Sequence, residues 1–288
     1  MRAIYTNHTV KRRLTVSGTE LYYEVYGDGI PIVMLHGWGV DHRLLLGCME
    51  PIFKASQSNF RRIYLDLPGM GQSKAGKHVK NSDDVLEVIL ALLDTMLPEE
   101  QFLLVGESYG GYLARGLVKK RSQQILGLLL ICPLMVPGYR KGEVPPLTVL
   151  ERDDFFLKTL SAKERSYFEA ITIVQNEEVW QRYKADLYEA LLQHEDNHFL
   201  HDVLDGAFSY DIGQLEEPFT KPSLILTGRQ DTEVGYQDQF QLLKNYSRAT
   251  YVALDKAGHN LQIEQVRLFN CLVSEWLERV MKEKDKYM

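Results

Sequence analysis

Short apolar runs of four to six residues recur along the chain and are typical of buried β-strands. They lie at 13–16, 21–26, 32–35, 63–67, 102–105, 128–132, 224–227 and 251–254. Helical patterns separate most of the later runs, and this alternation predicts right-handed crossovers and a largely parallel sheet covered on both faces. The first two runs lie close together and are expected to form an antiparallel edge. The pattern therefore predicts an α/β protein.

This alternation stops between about 134 and 215. The interval shows no clear strand pattern, but it has helical periodicity at 148–160, 162–174, 178–194 and 199–208. We therefore expect a helical insertion at 134–215 that interrupts one core formed by 1–133 and 216–288.

The most informative motif is Gly-Glu-Ser-Tyr-Gly at 106–110, directly after the strand predicted at 102–105. A serine in this context is typical of a nucleophile elbow, a tight strand-to-helix turn in which the serine takes strained backbone angles. The helix expected from about 109 to 120 directs its first amides toward negative charge on a substrate. Ser108 is therefore the candidate nucleophile.

A serine hydroxyl is too weakly acidic to attack a carbonyl unaided, so Ser108 needs a general base and an acid that orients the base. Asp231 follows the seventh predicted strand and His259 follows the eighth, so both arrive at the same sheet edge as Ser108. No carboxylate stands near the end of the sixth strand. We therefore predict His259 as the base and Asp231, ahead of Glu233, as the acid.

An oxyanion that forms during acyl transfer requires preorganised donors. The amide of Tyr109, the residue after the nucleophile, is one candidate, and the amide of Trp38, between Gly37 and Gly39, is the other. We expect His36 to brace the loop that carries Trp38 by hydrogen bonding rather than to transfer protons.

Taken together, these motifs make the chain resemble the α/β-hydrolase superfamily from about 15 to 277. The matching parts are 36–39, 66–73, the elbow at Ser108, Asp231 and His259. Within the superfamily the chain is similar to small bacterial carboxylesterases, proline iminopeptidases and carbon-carbon bond hydrolases. Haloalkane dehalogenases and epoxide hydrolases use an aspartate nucleophile, so Ser108 sets those chemistries aside. The resemblance implies an α/β-hydrolase fold, with a mostly parallel eight-stranded sheet flanked by helices and an inserted helical cap.

The resemblance further implies a serine hydrolase that acts on a small ester through an acyl-enzyme, with no cofactor and no metal. Proline iminopeptidase-like and carbon-carbon bond hydrolase activities use the same triad and stay open. A cap above the active site forms the substrate pocket in such enzymes. The candidate lining residues are Phe155, Phe156, Trp180, Tyr183 and Phe208. Most aromatic residues at helical spacing pack a core, so of these five together with Tyr167, Phe168 and Tyr210 only two or three are expected to face the pocket.

Glu107 departs from the histidine, asparagine or glycine that many such enzymes carry before the serine. The string Gly-Glu-Ser-Tyr-Gly-Gly resembles serine carboxypeptidases, in which the glutamate helps hold the terminal carboxylate of the substrate. Those proteins are larger, secreted and disulfide-bonded. Glu107 is therefore a candidate substrate contact, and a carboxyl satisfied by buried hydrogen bonds beneath the elbow is the equal alternative.

Composition narrows the class of protein. The 288 residues, 45% hydrophobic and 25% charged, suit one catalytic domain with an insertion. With a formal net charge of -6, the chain lacks the excess of basic residues that is typical of nucleic-acid-binding proteins. Three widely spaced cysteines favour a reducing compartment, 1–13 lacks an apolar signal region, and the apolar stretch 126–136 is too short to span a bilayer. We expect a cytoplasmic monomer or homodimer that acts on a small molecule, without a membrane span.

Two rival functions remain. The pentapeptide His-Glu-Asp-Asn-His at 194–198 matches the H-E-x-x-H zinc-hydrolase pattern, with His194 and His198 as ligands and Glu195 as base. Its aspartate and asparagine are poor helix formers, which weakens this hypothesis. A non-catalytic receptor for a small ligand is the other rival, since a fold alone does not establish function. Receptors often lose a triad member, and this chain retains all three.

Overall fold

The computed structural model describes residues 9–56, 59–135, 144–194, 197, 199–200, 203 and 206–284. In chain order, its strands are β1 (Thr9–Val16), β2 (Thr19–Tyr26), β3 (Ile30–Leu35), β4 (Phe60–Leu65), β5 (Phe102–Glu107), β6 (Ile125–Ile131), β7 (Glu151–Arg152), β8 (Val174–Gln175), β9 (Ser223–Gly228) and β10 (Ala249–Leu254). Its α-helices are α1 (Arg43–Ala55), α2 (Ser82–Met96), α3 (Tyr109–Arg121), α4 (Asp154–Leu157), α5 (Ala162–Ile171), α6 (Glu177–Tyr183), α7 (Glu189–His194), α8 (Leu261–Glu264) and α9 (Val266–Lys284).

Eight of these strands form one sheet in the order β1-β2-β4-β3-β5-β6-β9-β10. The pairs β1-β2 and β2-β4 are antiparallel, and every other neighbouring pair is parallel. Ser17 and Gly18 join β1 to β2 with φ angles of 47° and 74°, which matches the two-residue turns that suit twisted hairpins. The predicted sheet, largely parallel with an antiparallel edge, is confirmed.

The sheet separates two apolar layers. Helices α2 and α3 cover one face, and α1 and α9 cover the other. In β5, Leu104 packs into the first layer while Leu103 and Val105 pack into the second, because successive side chains of a strand point to opposite faces. Burial on both faces explains why β5 reads as an unbroken apolar run. Among the described helices, none has both the length and the apolarity needed to cross a membrane.

The segment between β6 and β9 contains α4 to α7 and packs its own apolar cluster against Val40 and Leu44 of the core. Two predictions for this segment need correction. The helix predicted at 148–160 is wrong, because β7 pairs with β8 there and Asp153 then caps the single turn of α4. The helix predicted at 162–174 ends at Ile171, since the chain continues into β8.

A continuous helical run from 177 to 194 confirms the prediction for 178–194, with a wider π-helical turn at Lys184–Tyr188 between α6 and α7. Within the interval predicted to be helical at 199–208, residues 199, 200 and 203 are helical, and residues 201–202 and 204–205 lie outside the described residues. Residues 206–208 are not helical.

Candidate active site

The turn from β5 to α3 holds Ser108 in a strained conformation, with φ of 50° and ψ of −115°. Positive φ angles of this kind cost non-glycine residues about 1 to 3 kcal/mol and cluster at functional sites. The turn is tight: a Cβ atom on Gly106 would lie 2.4 Å from the carbonyl oxygen of Gly110. Glycine is therefore required two positions before the serine, as the elbow motif predicts.

Among the three predicted triad residues, His259 lies within hydrogen-bonding distance of both Ser108 and Asp231. Nε2 of His259 is 3.0 Å from Oγ of Ser108, and Nδ1 of His259 is 2.9 Å from Oδ2 of Asp231. The second oxygen of Asp231 accepts the backbone N–H groups of Glu233, at 2.7 Å, and Val234, at 3.0 Å. Asp231 is fully buried and fixed on both sides, so the ring of His259 is held in one orientation.

The surroundings of His259 favour its protonated form. Burial lowers its pKa, but the charge of Asp231, the hydrogen bond to Asp231 and the charge of Glu107 raise it, to a net value of about 9. A base of this strength readily accepts a proton from a serine hydroxyl. It also needs high pH to be neutral before the reaction.

Glu107 is the last residue of β5 and is buried directly beside the triad. One of its oxygens, Oε1, lies 3.5 Å from Nε2 of His259, and the amide of Gly37 donates a hydrogen bond to the carboxyl. A Cβ atom on Gly37 would lie 2.1 Å from Oε2, so only glycine leaves room for this carboxyl. Burial raises the pKa of Glu107 to about 7, with a further upward contribution from Asp231, although His259 and Gly37 oppose the shift.

The two amides predicted to bind an oxyanion belong to residues that line the same cavity as Ser108. Tyr109 is the first residue of α3, so its N–H has no acceptor within the helix. Trp38 follows Gly37, and its ring packs edge-on against the ring of Tyr109 with centroids 5.0 Å apart. This contact ties the two loops together.

His36 braces the Trp38 loop, as predicted. Its Nε2 atom accepts the backbone N–H of Leu67 at 3.0 Å, and its Nδ1 atom lies 2.7 Å from the carbonyl oxygen of Gly37, to which it donates. Burial lowers the pKa of His36, which favours the neutral ring that these two bonds require. His36 therefore links the loops that follow β3 and β4.

The candidate site opens into a cavity of about 280 Å³. Its polar groups are concentrated around Ser108, His259, Glu107 and Glu233, and its remaining walls are mainly apolar. The core contributes Val40, Leu44 and Val234 to these walls, and the inserted segment contributes Leu134, Ile171, Tyr183, Leu187 and Leu191. Such a space suits a small substrate with one polar reacting group and an apolar remainder.

A sequence profile described as alpha/beta hydrolase fold matches residues 30–266. The chain belongs to the α/β-hydrolase family. This α/β-hydrolase is 26% identical over 273 residues to the AB hydrolase superfamily protein YisY of Bacillus subtilis, covering 89% of this chain and 94% of that protein. It is 23% identical over 259 residues to a pimeloyl-[acyl-carrier protein] methyl ester esterase of Legionella pneumophila (strain Paris), covering 90% and 99%.

A crystal structure of an alpha/beta superfamily hydrolase from Oenococcus oeni PSU-1 is similar throughout. Its TM-score is 0.82 at 29% sequence identity, covering 93% of this chain and 99% of that one. Coverage of 93% means that the likeness in fold includes most of the inserted segment as well as the core of this α/β-hydrolase.

Of the predicted pocket aromatics in this α/β-hydrolase, Tyr183 lines the cavity and the other four lie elsewhere. Phe155 is 85% exposed, and Phe156 packs against the apolar cluster of the inserted segment. Trp180 is buried within that cluster, and Phe208 stacks on Tyr112 with ring centroids 4.3 Å apart. The expectation that two or three would face the pocket is wrong for this set.

Leucine side chains line this part of the cavity, where aromatic side chains were expected. Tyr183, Leu187 and Leu191 follow one another at intervals of four along the helical run 177–194, and all three face the cavity. Side chains four positions apart lie on one helical face, so this spacing is the signal that identifies Leu187 and Leu191 from sequence.

His194, a candidate zinc ligand, is half-buried against the core. Its Nε2 atom accepts the backbone N–H of Gly71 at 2.9 Å, which occupies the lone pair that a metal at that atom would need. Glu195 and His198 lie outside the described residues. The zinc hypothesis thus loses one donor atom, and its other members stay untested.

Proposed function

We propose that this α/β-hydrolase is a serine hydrolase that cleaves small carboxylic esters through an acyl-enzyme. The observation that carries the proposal is the chain of contacts from Oγ of Ser108 to His259 at 3.0 Å and from His259 to Asp231 at 2.9 Å. A nucleophile, its base and an orienting acid in this geometry meet the requirements of nucleophilic catalysis.

In the proposed first half-reaction, Nε2 of His259 takes the proton of Ser108 while Oγ attacks the ester carbonyl. The amides of Trp38 and Tyr109 stabilise the oxyanion of the tetrahedral intermediate. His259 then gives its proton to the leaving alcohol as the carbon-oxygen bond breaks. The acyl group stays on Ser108.

In the second half-reaction, water takes the place of the alcohol. His259 removes a proton from the water, which attacks the acyl carbonyl, and the proton then returns to Oγ of Ser108 as the acid leaves. Asp231 stays ionised throughout, keeps the Nδ1–H tautomer in place and stabilises the imidazolium. The cycle needs no group beyond those of the chain and water.

The walls of the cavity support an uncharged, mainly apolar substrate of modest size. Tyr183, Leu187 and Leu191 face it from the inserted segment, and Val40 and Leu44 face it from the core. A charged acyl group would lose its hydration against such walls without compensation. The esterase named among the relatives supports ester cleavage as the reaction.

A second candidate is release of an N-terminal residue, as in proline iminopeptidases. Such a substrate brings a positively charged amine to the site, and Glu107 and Glu233 both line the cavity. A carboxylate beside the nucleophile is the group that would pair with this amine. Esters of simple acids gain nothing from such a pair, so substrate preference separates the two candidates.

The decisive experiment compares p-nitrophenyl esters of short and medium acids with aminoacyl arylamides. We expect measurable kcat/KM on the esters and loss of turnover in Ser108→Ala. A fluorophosphonate probe should add one adduct to the wild-type mass and none to Ser108→Ala. Ser122→Ala, which changes a serine at the far end of α3, is the matched control and should label as the wild type does.

Two outcomes would overturn the proposal. Preference for arylamides would favour the iminopeptidase candidate. A folded protein that neither turns over an ester nor reacts with the probe would favour a ligand receptor.

A further inference from the structure

Glu264, at the end of α8, is a buried acid whose described hydrogen bonds all come from backbone amides. Its Oε1 atom accepts the N–H of Ile173 at 2.6 Å and, more weakly, that of Val174 at 3.4 Å. Its Oε2 atom accepts the N–H of Gly258 at 2.6 Å. One carboxyl group therefore joins two segments that are 85 positions apart in the sequence.

Each of these segments belongs to a different part of the candidate site. Gly258 directly precedes His259, so its amide fixes the backbone that presents the imidazole to Ser108. Ile173 and Val174 enter strand β8 of the inserted segment, just after Ile171, which lines the cavity. The carboxyl of Glu264 thus holds the loop of the proposed base and the wall of the proposed pocket together.

We propose that Glu264 is a positioning residue that couples the position of the inserted segment on the core to the placement of His259. The role assigned to His259 rests on the proposed serine-hydrolase function. Glu264 itself touches no reacting atom. It acts through the amide of Gly258 on one side and the amides of Ile173 and Val174 on the other.

Two further contacts connect the same segments. A Cβ atom on Gly258 would lie 2.7 Å from Cγ1 of Ile173, so the side chain of Ile173 rests directly on the loop backbone. Lys256 in that loop pairs with Glu151 of β7, the strand that pairs with β8. These contacts leave the loop and the strand little freedom to move separately.

A carboxylate fits this position better than an amide does. Both oxygens of Glu264 accept, and a glutamine has only one accepting atom, so its NH2 group would face one of the backbone donors. Burial raises the pKa of Glu264 to about 7, and the charge of Asp231 adds to the rise, while the bonds from Gly258, Ile173 and Val174 oppose it. Loss of either bond leaves a buried N–H group unpaired, at a substantial cost.

The test replaces Glu264 with glutamine and follows individual amides by hydrogen exchange in the intact protein. At a pH above 7, where the carboxyl of Glu264 is ionised, we expect the amide of Gly258, or of Ile173, or of both, to lose protection by about tenfold or more, since the lost bond is a charge-assisted one. We expect kcat on a p-nitrophenyl ester to fall about ten- to hundredfold because the base is displaced. KM should change less than kcat. Glu278→Gln, the same change on the exposed side of α9, is the matched control and should alter neither quantity.

A readout at the imidazole separates positioning from general loss of structure. The Nδ1–H proton of His259, bound to Asp231, should give a downfield NMR signal in the wild type and in Glu278→Gln. It should weaken or exchange faster in Glu264→Gln while the remaining core amides keep their protection. A double-mutant cycle with Ile173→Ala, which removes the side-chain contact of Ile173 with the Gly258 loop, should be non-additive in kcat, because both changes loosen the connection between that loop and the inserted segment.

Unchanged exchange at both Gly258 and Ile173, or an unchanged imidazole signal together with unchanged kcat, would overturn the proposal. If Glu264→Gln does not fold, Glu264→Asp keeps a carboxylate that is too short to reach both segments, and the same outcomes apply to it. If the wild type cleaves no ester, the exchange and imidazole measurements still test the coupling. Failure of the proposed function is therefore distinguishable from failure of this inference.

Discussion

Replacing Glu107 with glutamine removes a carboxylate whose Oε1 atom lies 3.5 Å from Nε2 of His259. The charge of Glu107 is one of the influences that raise the pKa of His259 to about 9. Only the neutral imidazole can accept the proton of Ser108. The variant should therefore reach its active form at lower pH than the wild type.

The distance sets the size of the effect. Two unit charges 3.5 Å apart interact by about 1.2 kcal/mol at the dielectric constant of water and by about 4.7 kcal/mol at an effective constant of 20. These energies correspond to about 0.9 and 3.5 pH units. Glu107, with a pKa of about 7, is ionised in the pH range where His259 titrates, but both charges are delocalised, so we expect a shift near the lower figure.

A fall of about one unit in the pKa of His259 raises the neutral fraction at pH 7 about tenfold. The assay is the pH dependence of kcat/KM on a short p-nitrophenyl ester, with spontaneous hydrolysis subtracted, since kcat/KM reports the free enzyme. The acid limb should have its midpoint near pH 9 in the wild type and near pH 8 in Glu107→Gln.

Glu233→Gln is the matched control for this prediction. Glu233 also faces the cavity, but its charge raises the pKa of His259 less than the charge of Glu107 does. The acid limb of Glu233→Gln should shift by a smaller amount in the same direction. An acid limb in Glu107→Gln that stays in place, or moves to higher pH, would refute the electrostatic reasoning. A larger shift in Glu233→Gln would show that Glu233, rather than Glu107, is the carboxyl that mainly raises the pKa of His259.

Two other predictions concern the acid and the pocket. Asp231→Asn should lower kcat by roughly 10³ to 10⁴ with little change in melting temperature, because His259 is then held in the wrong tautomer; a larger loss in Glu233→Gln would reverse the assignment of the acid. Tyr183→Ala should change the order of kcat/KM across a chain-length series of esters, by about 1 to 3 kcal/mol for the best-fitting acyl group. Phe155→Ala should leave that order unchanged because its ring is 85% exposed, and an equal change in both variants would contradict the described pocket.

Much of this fold could be predicted because the local pattern carries the information. The central strands β3, β5, β6 and β9 bury nearly all of their side chains, so each appears as an apolar run whatever its neighbours are. The loop residues that follow these strands meet at one edge of the sheet, since parallel strands end together there. The order of Ser108, Asp231 and His259 therefore sufficed to predict their meeting, which the distances of 3.0 and 2.9 Å describe.

The inserted segment was predicted less well because its structure depends on contacts between distant residues. Strand β7 forms only because β8 lies beside it, and two residues leave no periodicity to read. Phe155 and Tyr183 are both aromatic residues in helices of the inserted segment, yet one is exposed and the other faces the cavity. Which face of such a helix is buried depends on how the segment packs on the core, and composition carries no information about that packing.

The sequence by itself determined the class of fold, the elbow and the order of the catalytic candidates, since these depend on neighbouring residues and on the shared edge of a parallel sheet. Only the tertiary structure decided the lining of the pocket, the carboxyl of Glu107 at 3.5 Å from His259, and the link that Glu264 makes between Ile173 and Gly258. The physical reason is the large sequence separation between the residues that form these contacts. A hydrogen bond between segments 85 residues apart leaves no trace in local hydrophobic periodicity, and it exists only once the chain has folded.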